Sequence, residues 1–290
     1  MPLPDWPEFR FDGIGTRWEI TTPRPLQASV RARLLNVVDA YDGAWSRFRP
    51  DSTVSAMARE PGRYVFAAEA AALGRLYRSL YRLSAGAMTP LIGGSLEQLG
   101  YDAAYSLRPA GAPLAAPRWE DALDWDGTVL TNRVPVVLDI GAAGKGQLVD
   151  LLAAELRSHG HESYLIDASG DLLYCGPDVM TVALEHPYDP TKAIGTVPVS
   201  GGALCASAAN RRVWGDGLHH VLDGTTGRPV TTAVATWTMA ESTMLADALA
   251  TALFFVPGAD LERTFDFSWL TVFSDGSAAY SAGFEGTLFT

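Results

Sequence analysis

Two oxygen-bearing side chains, Asp247 and Thr251, stand four residues apart in a strongly apolar run of the sequence. The apolar spacing predicts a helix over residues 242–256, and residues four apart lie on one face of a helix. An ionised carboxylate on such a helix is unfavourable unless it is paired or bound to a cation, and hard oxygen donors suit Mg²⁺. The pattern therefore predicts a magnesium site. The alternative is a capping aspartate with a core threonine that bonds back along the helix.

A glycine-rich segment in the middle of the chain is suited to the anion that such a metal would accompany. Residues 134–140 are mostly apolar and β-branched and predict a strand; three glycines within residues 141–146 predict a turn before a helix that begins at Gln147. Backbone N–H groups at a helix start attract anions, and Lys145 adds a positive charge. The glycine spacing matches neither the P-loop nor the dinucleotide fingerprint. Two interpretations stay open, a holder for a phosphate-bearing ligand and a plain strand–helix connection with a solvated lysine.

Three further segments carry side chains that are able to take part in chemistry. His220 precedes a turn-forming run at residues 223–227 and suits a general base, although His219 and His220 also suit ordinary hydrogen-bonded roles. Residues 167–171 follow a short predicted strand and form either the lining of a ligand pocket or a turn with two solvated carboxylates. Phe48 is placed either against a flat cofactor or in the core.

The composition narrows the classes of ligand. The chain has 290 residues, 48% of them hydrophobic and 19% charged, which is typical of a folded protein with a large core. Its 22 basic and 33 acidic residues give a formal net charge of −11. An acidic protein lacks the basic face that nucleic acid requires, so we expect no nucleic-acid partner. An acidic protein that binds an anionic nucleotide is expected to recruit a metal cation between the two.

Cysteine usage and the start of the chain bear on where the protein works. Cys175 and Cys205 are far apart and form neither a disulfide framework nor a zinc motif, and the five histidines show no zinc-ligand spacing. The first seven residues lack the basic and apolar pattern of a signal peptide, and no stretch is long and apolar enough to span a bilayer. We therefore expect a cytoplasmic protein without membrane insertion.

The rest of the pattern supplies the elements that must position these residues. Apolar stripes predict helices over residues 26–45 and 67–84, and Ser52 is placed to cap a short helix that extends through Met57. Strands and helices mix without strict alternation, which indicates an α+β fold. Residues 87–94 are expected to form a loop and residues 102–118 a surface excursion. A hairpin is predicted over residues 9–22, and further strands at residues 164–167, 179–184, 234–239, 269–273 and 278–289.

Seven segments occur in a fixed order that covers nearly the whole chain. They are Gly15-Thr16, Ser46-Arg47-Phe48, Gly86-Ala87-Met88-Thr89-Pro90, Asp139-Ile-Gly-Ala-Ala-Gly-Lys-Gly146, Asp167-Ala-Ser-Gly-Asp171, His220-Val-Leu-Asp-Gly-Thr-Thr-Gly227 and Ala246-Asp-Ala-Leu-Ala-Thr-Ala-Leu253. Taken together, they resemble the motifs of the ApbE-type FAD:protein FMN transferases, a family of flavin transferases. The ordered set is far more specific than any single segment.

The resemblance implies a fold and an activity. The fold would be a single compact α+β domain over residues 1–290, related to the T-fold, with mixed or antiparallel sheets and packed helices. FAD would be the substrate and Mg²⁺ the cofactor that grips its pyrophosphate. A threonine or serine hydroxyl of an acceptor flavoprotein would attack the FMN-side phosphorus, AMP would leave, and FMN would stay joined to the acceptor.

Carried over position by position, the resemblance also implies roles for particular residues. Asp247, Thr251 and the carbonyl of Ala142 would hold the metal, with Asp247 counted as catalytic. His220 would lie where the proposed base of the family lies. The FAD site would be lined by Ile14, Phe48, Ala87, Met88, Thr89, Asp139, Lys145 and Leu222.

The sequence departs from the family pattern on the flavin and acceptor sides, whereas the implied metal set is intact. These departures keep two alternatives open: a Mg²⁺-dependent FAD pyrophosphatase with water as the nucleophile, and a non-catalytic protein that binds FAD. The departures are Ile14 for a usual Met, Thr89 for Asp, Asp167 and Ser169 for Asn and Gly, Cys205-Ala-Ser-Ala208 for a Thr-Ser-Gly segment, and Gly224 for Pro.

Overall fold

Strands outnumber helices in the part of the chain that the structure describes. The structure is a computed structural model that describes residues 6–289; residues 1–5, part of the stretch on which the signal-peptide expectation rests, lie outside the described residues. The helices are α1 (Ala28–Trp45), α2 (Thr53–Arg59), α3 (Ala70–Leu83), α4 (Gly93–Gln98), α5 (Trp119–Ala122), α6 (Gly144–Ser158), α7 (Thr243–Ala252) and α8 (Gly258–Leu261), with 3₁₀ turns at Pro90–Ile92 and Ala209–Arg211. The strands are β1 (Glu8–Gly13), β2 (Thr16–Thr21), β3 (Gly62–Val65), β4 (Leu123–Asp126), β5 (Val129–Asn132), β6 (Tyr164–Asp167), β7 (Asp171–Cys175), β8 (Met180–His186), β9 (Asp189–Val199), β10 (Gly202–Ala208), β11 (Val213–Trp214), β12 (Leu218–His219), β13 (Leu222–Asp223), β14 (Arg228–Pro229), β15 (Ala233–Ala240), β16 (Ser268–Phe273), β17 (Ala278–Tyr280) and β18 (Thr287–Leu288).

The largest sheet has eight strands in the order β1-β2-β6-β7-β10-β15-β16-β17, and every neighbouring pair is antiparallel. Successive side chains of a strand point to opposite faces, so the five strands from β6 to β16 in this order contribute to two cores. Ile166 and Cys205 pack into one core, whereas their neighbours Leu165 and Leu204 pack into the other. The middle of the sheet is therefore covered on both faces.

Helices α1, α6 and α7 cover one face of this sheet. Helix α7 lies against β10 and β15, and α6 contacts both α7 and α1. The stripe predicted for α1 is buried at Val30, Leu34, Val38 and Tyr41. This helical layer holds α6 and α7 side by side, and both helices carry predicted site residues.

The opposite face is covered by a smaller sheet made of the β8–β9 hairpin and β18, which pairs with β9. Leu184 and Val197 of the hairpin share a core with Trp237 and Leu270 of the main sheet. A third sheet, in the order β3-β5-β4, packs beside α2 and α3. Glu185, near the end of β8, and Pro187, just after it, line the smaller cavity of the site described below.

The predicted helices are confirmed with trimmed ends, as α1, α3 and α7, and so is the α+β fold. Ser52 caps α2 as expected, because its hydroxyl accepts the N–H of Ser55 at 3.1 Å. None of the helices within residues 6–289 has the length and apolar character needed to cross a bilayer. That residues 1–290 form one domain stays a prediction.

The predicted strand over residues 134–140 is wrong, because this segment contains no strand and pairs with none. Pro135 has no N–H to give to a sheet. The N–H groups of Val136 and Asp139 instead donate to the carbonyls of Met57 (3.3 Å) and Pro90 (2.8 Å) at the ends of other elements. Helix α6 also begins at Gly144, three residues before the predicted Gln147, so the glycine segment contains the first helical turn.

Other connections also differ from expectation. Residues 87–94 are only partly a loop, since a 3₁₀ turn at Pro90–Ile92 leads into α4. Strands β9 and β10 were not predicted, and residues 278–289 divide into β17 and β18, which belong to different sheets. The surface excursion is confirmed, because residues 103–115 are exposed and contain neither helix nor strand.

Candidate active site

The predicted site residues meet at one cleft, formed by two adjoining cavities of ≈ 340 and ≈ 520 Å³. The cavities share the walls made by Asp139, Gly141 and Lys145. The larger cavity is also lined by Ile14 and Phe48. The smaller cavity is also lined by Ala87, Met88, Thr89, Ala142, His220, Leu222, Asp247 and Thr251. All twelve predicted site residues therefore line the cleft, through one cavity or the other. Their roles stay predictions.

Asp247 projects from α7 into the smaller cavity and is only 6% exposed. Its Oδ2 accepts the N–H of Gly146 at 2.9 Å. Gly146 permits this contact because a Cβ at that position would clash with the Thr243 carbonyl and lie 2.8 Å from the Cβ of Asp247. Burial, reinforced by the negative charge of Asp171, raises the pKa of Asp247 well above its ordinary value. The ionised form of Asp247 therefore lacks enough positive charge around it.

These features bear on whether the site fits a magnesium ion. Thr251 and Ala142 line the same cavity as Asp247. Among residues 6–289 no three His, Cys, Asp or Glu side chains are grouped to hold a metal. Mg²⁺ does not need such a cage, because it is commonly bound by one or two carboxylates together with waters and substrate phosphates. A buried carboxylate with a raised pKa, beside a hydroxyl and a carbonyl, is a donor set that fits this cation.

Lys145 places a fixed positive charge in the cleft. Its Nζ lies 3.0 Å from Oδ2 of the fully buried Asp171 and donates to the carbonyl of Ala168 at 3.1 Å. Burial would lower the pKa of Lys145, but the charges of Asp171 and Asp247 outweigh burial and raise it. The Lys145 side chain is 21% exposed, so the solvated-lysine interpretation is wrong, and Asp171 is not a solvated turn carboxylate.

Arg47, which the sequence reasoning did not select, fixes the other end of the glycine segment. Its Nε donates to Oδ2 of Asp139 at 2.6 Å, and its Nη1 donates to the carbonyl of Tyr101 at 2.8 Å. The other oxygen of Asp139 accepts the N–H of Gly141 at 2.8 Å. Burial would raise the pKa of Asp139, but the charge and hydrogen bond of Arg47 outweigh it and hold that pKa below its ordinary value. Asp139 is therefore a carboxylate that shapes the turn.

Aromatic rings line the larger cavity. The rings of Phe48 and Tyr105 stack at 5.0 Å between centroids with an interplanar angle of 10°, and Tyr101 stacks on Trp214 at 5.6 Å. The Arg47 guanidinium lies 4.2 Å from the Phe48 centroid. Phe48 packs on a small satellite cluster and also lines the cavity, so the core interpretation is partly met and the contact with a cofactor stays a prediction. The signal that was available for Tyr105 was an aromatic residue in an exposed segment rich in alanine and proline.

Ile14 lies in the two-residue turn of the β1–β2 hairpin, beside the same cavity. Its φ is +43° and that of Gly15 is +75°, as the favoured hairpin turns require. A β-branched residue is disfavoured in this region, at a strain of about 1–3 kcal/mol. Such strain is commonly found where the surrounding structure holds a residue for a functional reason.

The two adjacent histidines differ in environment. Nε2 of His219 lies 2.9 Å from the carbonyl of Val230, and Nδ1 accepts the N–H of Val221 at 3.3 Å, so His219 has an ordinary structural role. His220 lines the cavity, and its Nδ1 is buried without a hydrogen-bond partner. Burial, together with the positive charge of Arg212, lowers the pKa of His220 to about 3. His220 is therefore neutral near physiological pH.

Thr89 and Gly224, two of the departures from the family pattern, lie next to each other. Thr89 caps the 3₁₀ turn, because its hydroxyl accepts the N–H of Leu91 at 3.2 Å. The Gly224 N–H donates to the carbonyl of Ala87 at 2.8 Å, and a Cβ at Gly224 would lie 2.6 Å from Cγ2 of Thr89. A proline at 224 would lose that hydrogen bond, so glycine here and threonine at 89 suit one another.

The family model described as the ApbE family matches residues 14–267. The chain is 26% identical over 251 residues to the FAD:protein FMN transferase of Vibrio cholerae, covering 81% of this chain and 74% of the relative. It is 28% identical over 285 residues to the FAD:protein FMN transferase of Treponema pallidum, covering 83% and 76%. Its fold matches the crystal structure of the ApbE protein of Thermotoga maritima with a TM-score of 0.81 and 21% identity, covering 96% of this chain and 97% of the other.

Proposed function

The chain belongs to the ApbE family, and on that basis we propose that it is a Mg²⁺-dependent FAD:protein FMN transferase. It moves FMN from FAD to a threonine or serine hydroxyl of an acceptor protein and releases AMP. The curated relatives described above are transferases of this kind by name. The observation in this chain that carries the proposal is the buried, under-neutralised carboxylate of Asp247, which lies in a cleft beside a helix N-terminus and a lysine.

The cleft is suited to a dinucleotide in size and in chemistry. Ligand cavities commonly have volumes of about 300–1,000 Å³, and the two adjoining cavities lie within that range. The larger cavity is lined by stacked aromatic rings, whereas the smaller cavity combines the polar groups of Asp247 and Thr251 with small and large apolar side chains. A ligand with a flat ring and a phosphate group matches this division, and FAD has both.

The residues that would hold Mg²⁺ are Asp247, Thr251 and the carbonyl of Ala142. The ion would neutralise charge on the pyrophosphate, which phosphoryl transfer requires more than covalent help. Without a cation, burial and the charge of Asp171 raise the pKa of Asp247. A bound cation would favour the ionised form of this carboxylate.

The residues of the chain would bind and orient the phosphates around this centre. At the start of α6 the N–H of Gly144 donates to the carbonyl of Ile140 at 2.7 Å and that of Gly146 to Oδ2 of Asp247, so the positive end of the helix dipole would act on the phosphates there. Lys145, held by Asp171 and the carbonyl of Ala168, supplies a positive charge that does not have to be ordered on binding. Arg47 and Asp139 hold the turn that connects the phosphate region to the aromatic cavity.

His220 would accept the proton of the attacking hydroxyl. In the transfer, the acceptor oxygen forms a bond to the FMN-side phosphorus, the bond from that phosphorus to the oxygen of AMP breaks, and AMP carries away the electron pair. His220 is neutral, as a base must be, although its pKa of about 3 makes it a weak one in the ligand-free protein. A bound polyphosphate adds negative charge beside the imidazole, which raises its pKa.

Product analysis tests the proposal and separates it from the alternatives. The protein is incubated with FAD and Mg²⁺, with and without a threonine-bearing acceptor or cell extract, and the products are read by mass spectrometry. We expect AMP release that depends on acceptor and an acceptor that gains the mass of FMN. FMN and AMP released in equal amounts without acceptor would indicate a pyrophosphatase. FAD that stays intact would indicate a binding protein, and release that a chelator does not affect would contradict the metal.

A further inference from the structure

Two residues of α6, Gly146 and Asp150, contact α7 from positions one helical turn apart. Gly146 donates its N–H to Oδ2 of Asp247 at 2.9 Å. The carboxylate of Asp150 accepts the N–H groups of Thr243 and Met244, both at 2.9 Å. These two N–H groups belong to the first turn of α7 and have no partner within the helix. A carboxylate at a helix N-terminus also interacts favourably with the helix dipole.

The start of α7 is therefore fixed chiefly from outside the helix. Ser242 supplies the one cap from its own segment, by accepting the N–H of Leu245 at 3.3 Å. Gln147, next to Gly146, adds a contact from its Nε2 to the sulfur of Met244 at 3.4 Å. At Gly146 the two helices are in direct backbone contact, because any side chain there would strike the Thr243 carbonyl. No flexible side chain separates the two helices at this point, so α7 cannot shift towards α6 by a side-chain rearrangement alone.

Asp247 follows Thr243 by four residues, so the two lie on the same face of α7 one turn apart. Its place in the cavity depends on where the first turn of α7 is held. Asp150 itself is absent from the walls of both cavities and does not reach a ligand there. Its influence on the site would pass through the backbone of Thr243 and Met244.

We infer that Asp150 is a positioning residue for the metal-ligating carboxylate of Asp247, an inference that rests on the proposed function. By holding the first turn of α7 against α6, Asp150 sets the distance of Asp247 from Ala142 and from the N-terminus of α6. Replacing a residue that orients a metal ligand without touching the metal typically weakens metal affinity by about 10- to 100-fold. A residue that served only the fold would change stability and leave metal affinity as it was.

The test uses Asp150→Asn and Asp150→Ala in the full chain. Asparagine keeps one acceptor oxygen and the shape of the side chain, whereas alanine keeps neither. The matched control is Asp275→Asn, since Asp275 accepts the N–H and hydroxyl of Ser277 at 2.9 and 2.6 Å in an exposed turn outside both cavities. Each protein is unfolded by heat across a series of Mg²⁺ concentrations without flavin. AMP release from FAD is then measured across the same series, with cell extract as the source of acceptor.

We expect Asp150→Asn to raise the Mg²⁺ concentration for half-maximal stabilisation about tenfold, with a larger shift in Asp150→Ala and none in the control. Turnover at saturating Mg²⁺ should stay close to that of the wild type, because the ligand itself is unchanged. A Mg²⁺ midpoint in Asp150→Asn equal to that of the wild type would overturn the inference. An Asp150→Asn protein that does not fold would also overturn it, since Asp150 would then be a determinant of the fold. A wild type whose unfolding does not respond to Mg²⁺ would contradict the proposed function as well.

Discussion

Replacing Asp247 with asparagine separates the charge of this side chain from its shape. The asparagine oxygen is still able to accept the Gly146 N–H that Oδ2 accepts at 2.9 Å. The negative charge is lost, and with it the ionic ligand for a metal. The two proteins should therefore differ in stability, in the pH dependence of stability and in the response to Mg²⁺.

The size of the stability change follows from what surrounds the carboxylate. A buried ion carries a desolvation penalty of several kcal/mol. Lys145 offsets this penalty only in part, because its Nζ is already 3.0 Å from Asp171. The hydrogen bond to Gly146 is largely retained, so its contribution nearly cancels. We expect Asp247→Asn to raise the free energy of unfolding of the metal-free protein by about 1–3 kcal/mol above neutral pH.

The pH dependence has a definite sign. In the unfolded chain an aspartate has a pKa of about 3.9. In the folded chain, burial and the charge of Asp171 raise the pKa of Asp247 well above that value. Between the two pKa values the folded chain binds more protons than the unfolded chain, so the free energy of unfolding falls as the pH rises. The metal-free wild type should show this fall from Asp247, and Asp247→Asn should lack that part of it.

The assay is urea unfolding followed by tryptophan fluorescence, over a pH series, in chelator and in Mg²⁺. A ligand at 100 times its Kd stabilises the folded state by about 2.7 kcal/mol. We expect Mg²⁺ to raise the free energy of unfolding of the wild type by an amount of this order, and to have no such effect on the variant. With cell extract as the source of acceptor, AMP release from FAD should be lost in Asp247→Asn and in Asp247→Ala. Asp275→Asn serves as the control for loss of one exposed carboxylate. A variant less stable than the wild type in chelator, or one that still releases AMP, would refute the reasoning.

Three further predictions concern the walls of the cleft. Lys145→Met should lower the free energy of unfolding by about 3–5 kcal/mol in urea titrations, because it leaves Asp171 buried without its partner; a loss below about 1 kcal/mol would contradict the pairing. Gly146→Ala should lose about 1–3 kcal/mol and most of its Mg²⁺ response in thermal unfolding, since its methyl group would strike the Thr243 carbonyl; an unchanged response would show that the helices move apart freely. Tyr105→Ala should raise the KM for FAD about tenfold with little change in kcat, through loss of a stacking ring, and a change confined to kcat would argue against that role.

Local patterns made the helix that carries Asp247 and Thr251 predictable from the sequence. The apolar run that holds Asp247 and Thr251 has helical spacing and a good cap at Ser242, and the helix forms over most of the predicted range. A single carboxylate in such a run is conspicuous because its burial is costly. Asp247 and Thr251 reach one cavity through their spacing within one element, which a sequence reveals directly, whereas Ala142 comes from the glycine-rich segment before α6.

The error at residues 134–140 has a physical reason. Alternating apolar residues indicate that alternate side chains are buried, and Val136, Leu138 and Ile140 are indeed buried. The pattern does not reveal whether another strand lies beside the segment to accept its hydrogen bonds. Here the N–H groups donate to the ends of a helix and a 3₁₀ turn, so the side-chain pattern of a strand occurs without a sheet.

The missed parts of the site depend on contacts that are distant in sequence. The hydrogen bond between Arg47 and Asp139 joins residues 92 positions apart, and the pairing of Lys145 with Asp171 depends on how β7 is placed against α6. Tyr105 comes from an exposed segment whose own sequence predicts only a loop. Such arrangements follow from the packing of whole elements, so a local sequence pattern does not predict them.

The central claim is that a divalent ion joins Asp247 to the phosphates of FAD. The most direct measurement is anomalous scattering from crystals grown with FAD and Mn²⁺ in place of Mg²⁺. The account predicts one strong peak within about 2.0–2.3 Å of an Asp247 oxygen, with the Thr251 hydroxyl and the pyrophosphate as further ligands. A peak away from α7, or FAD bound outside the two cavities, would contradict it.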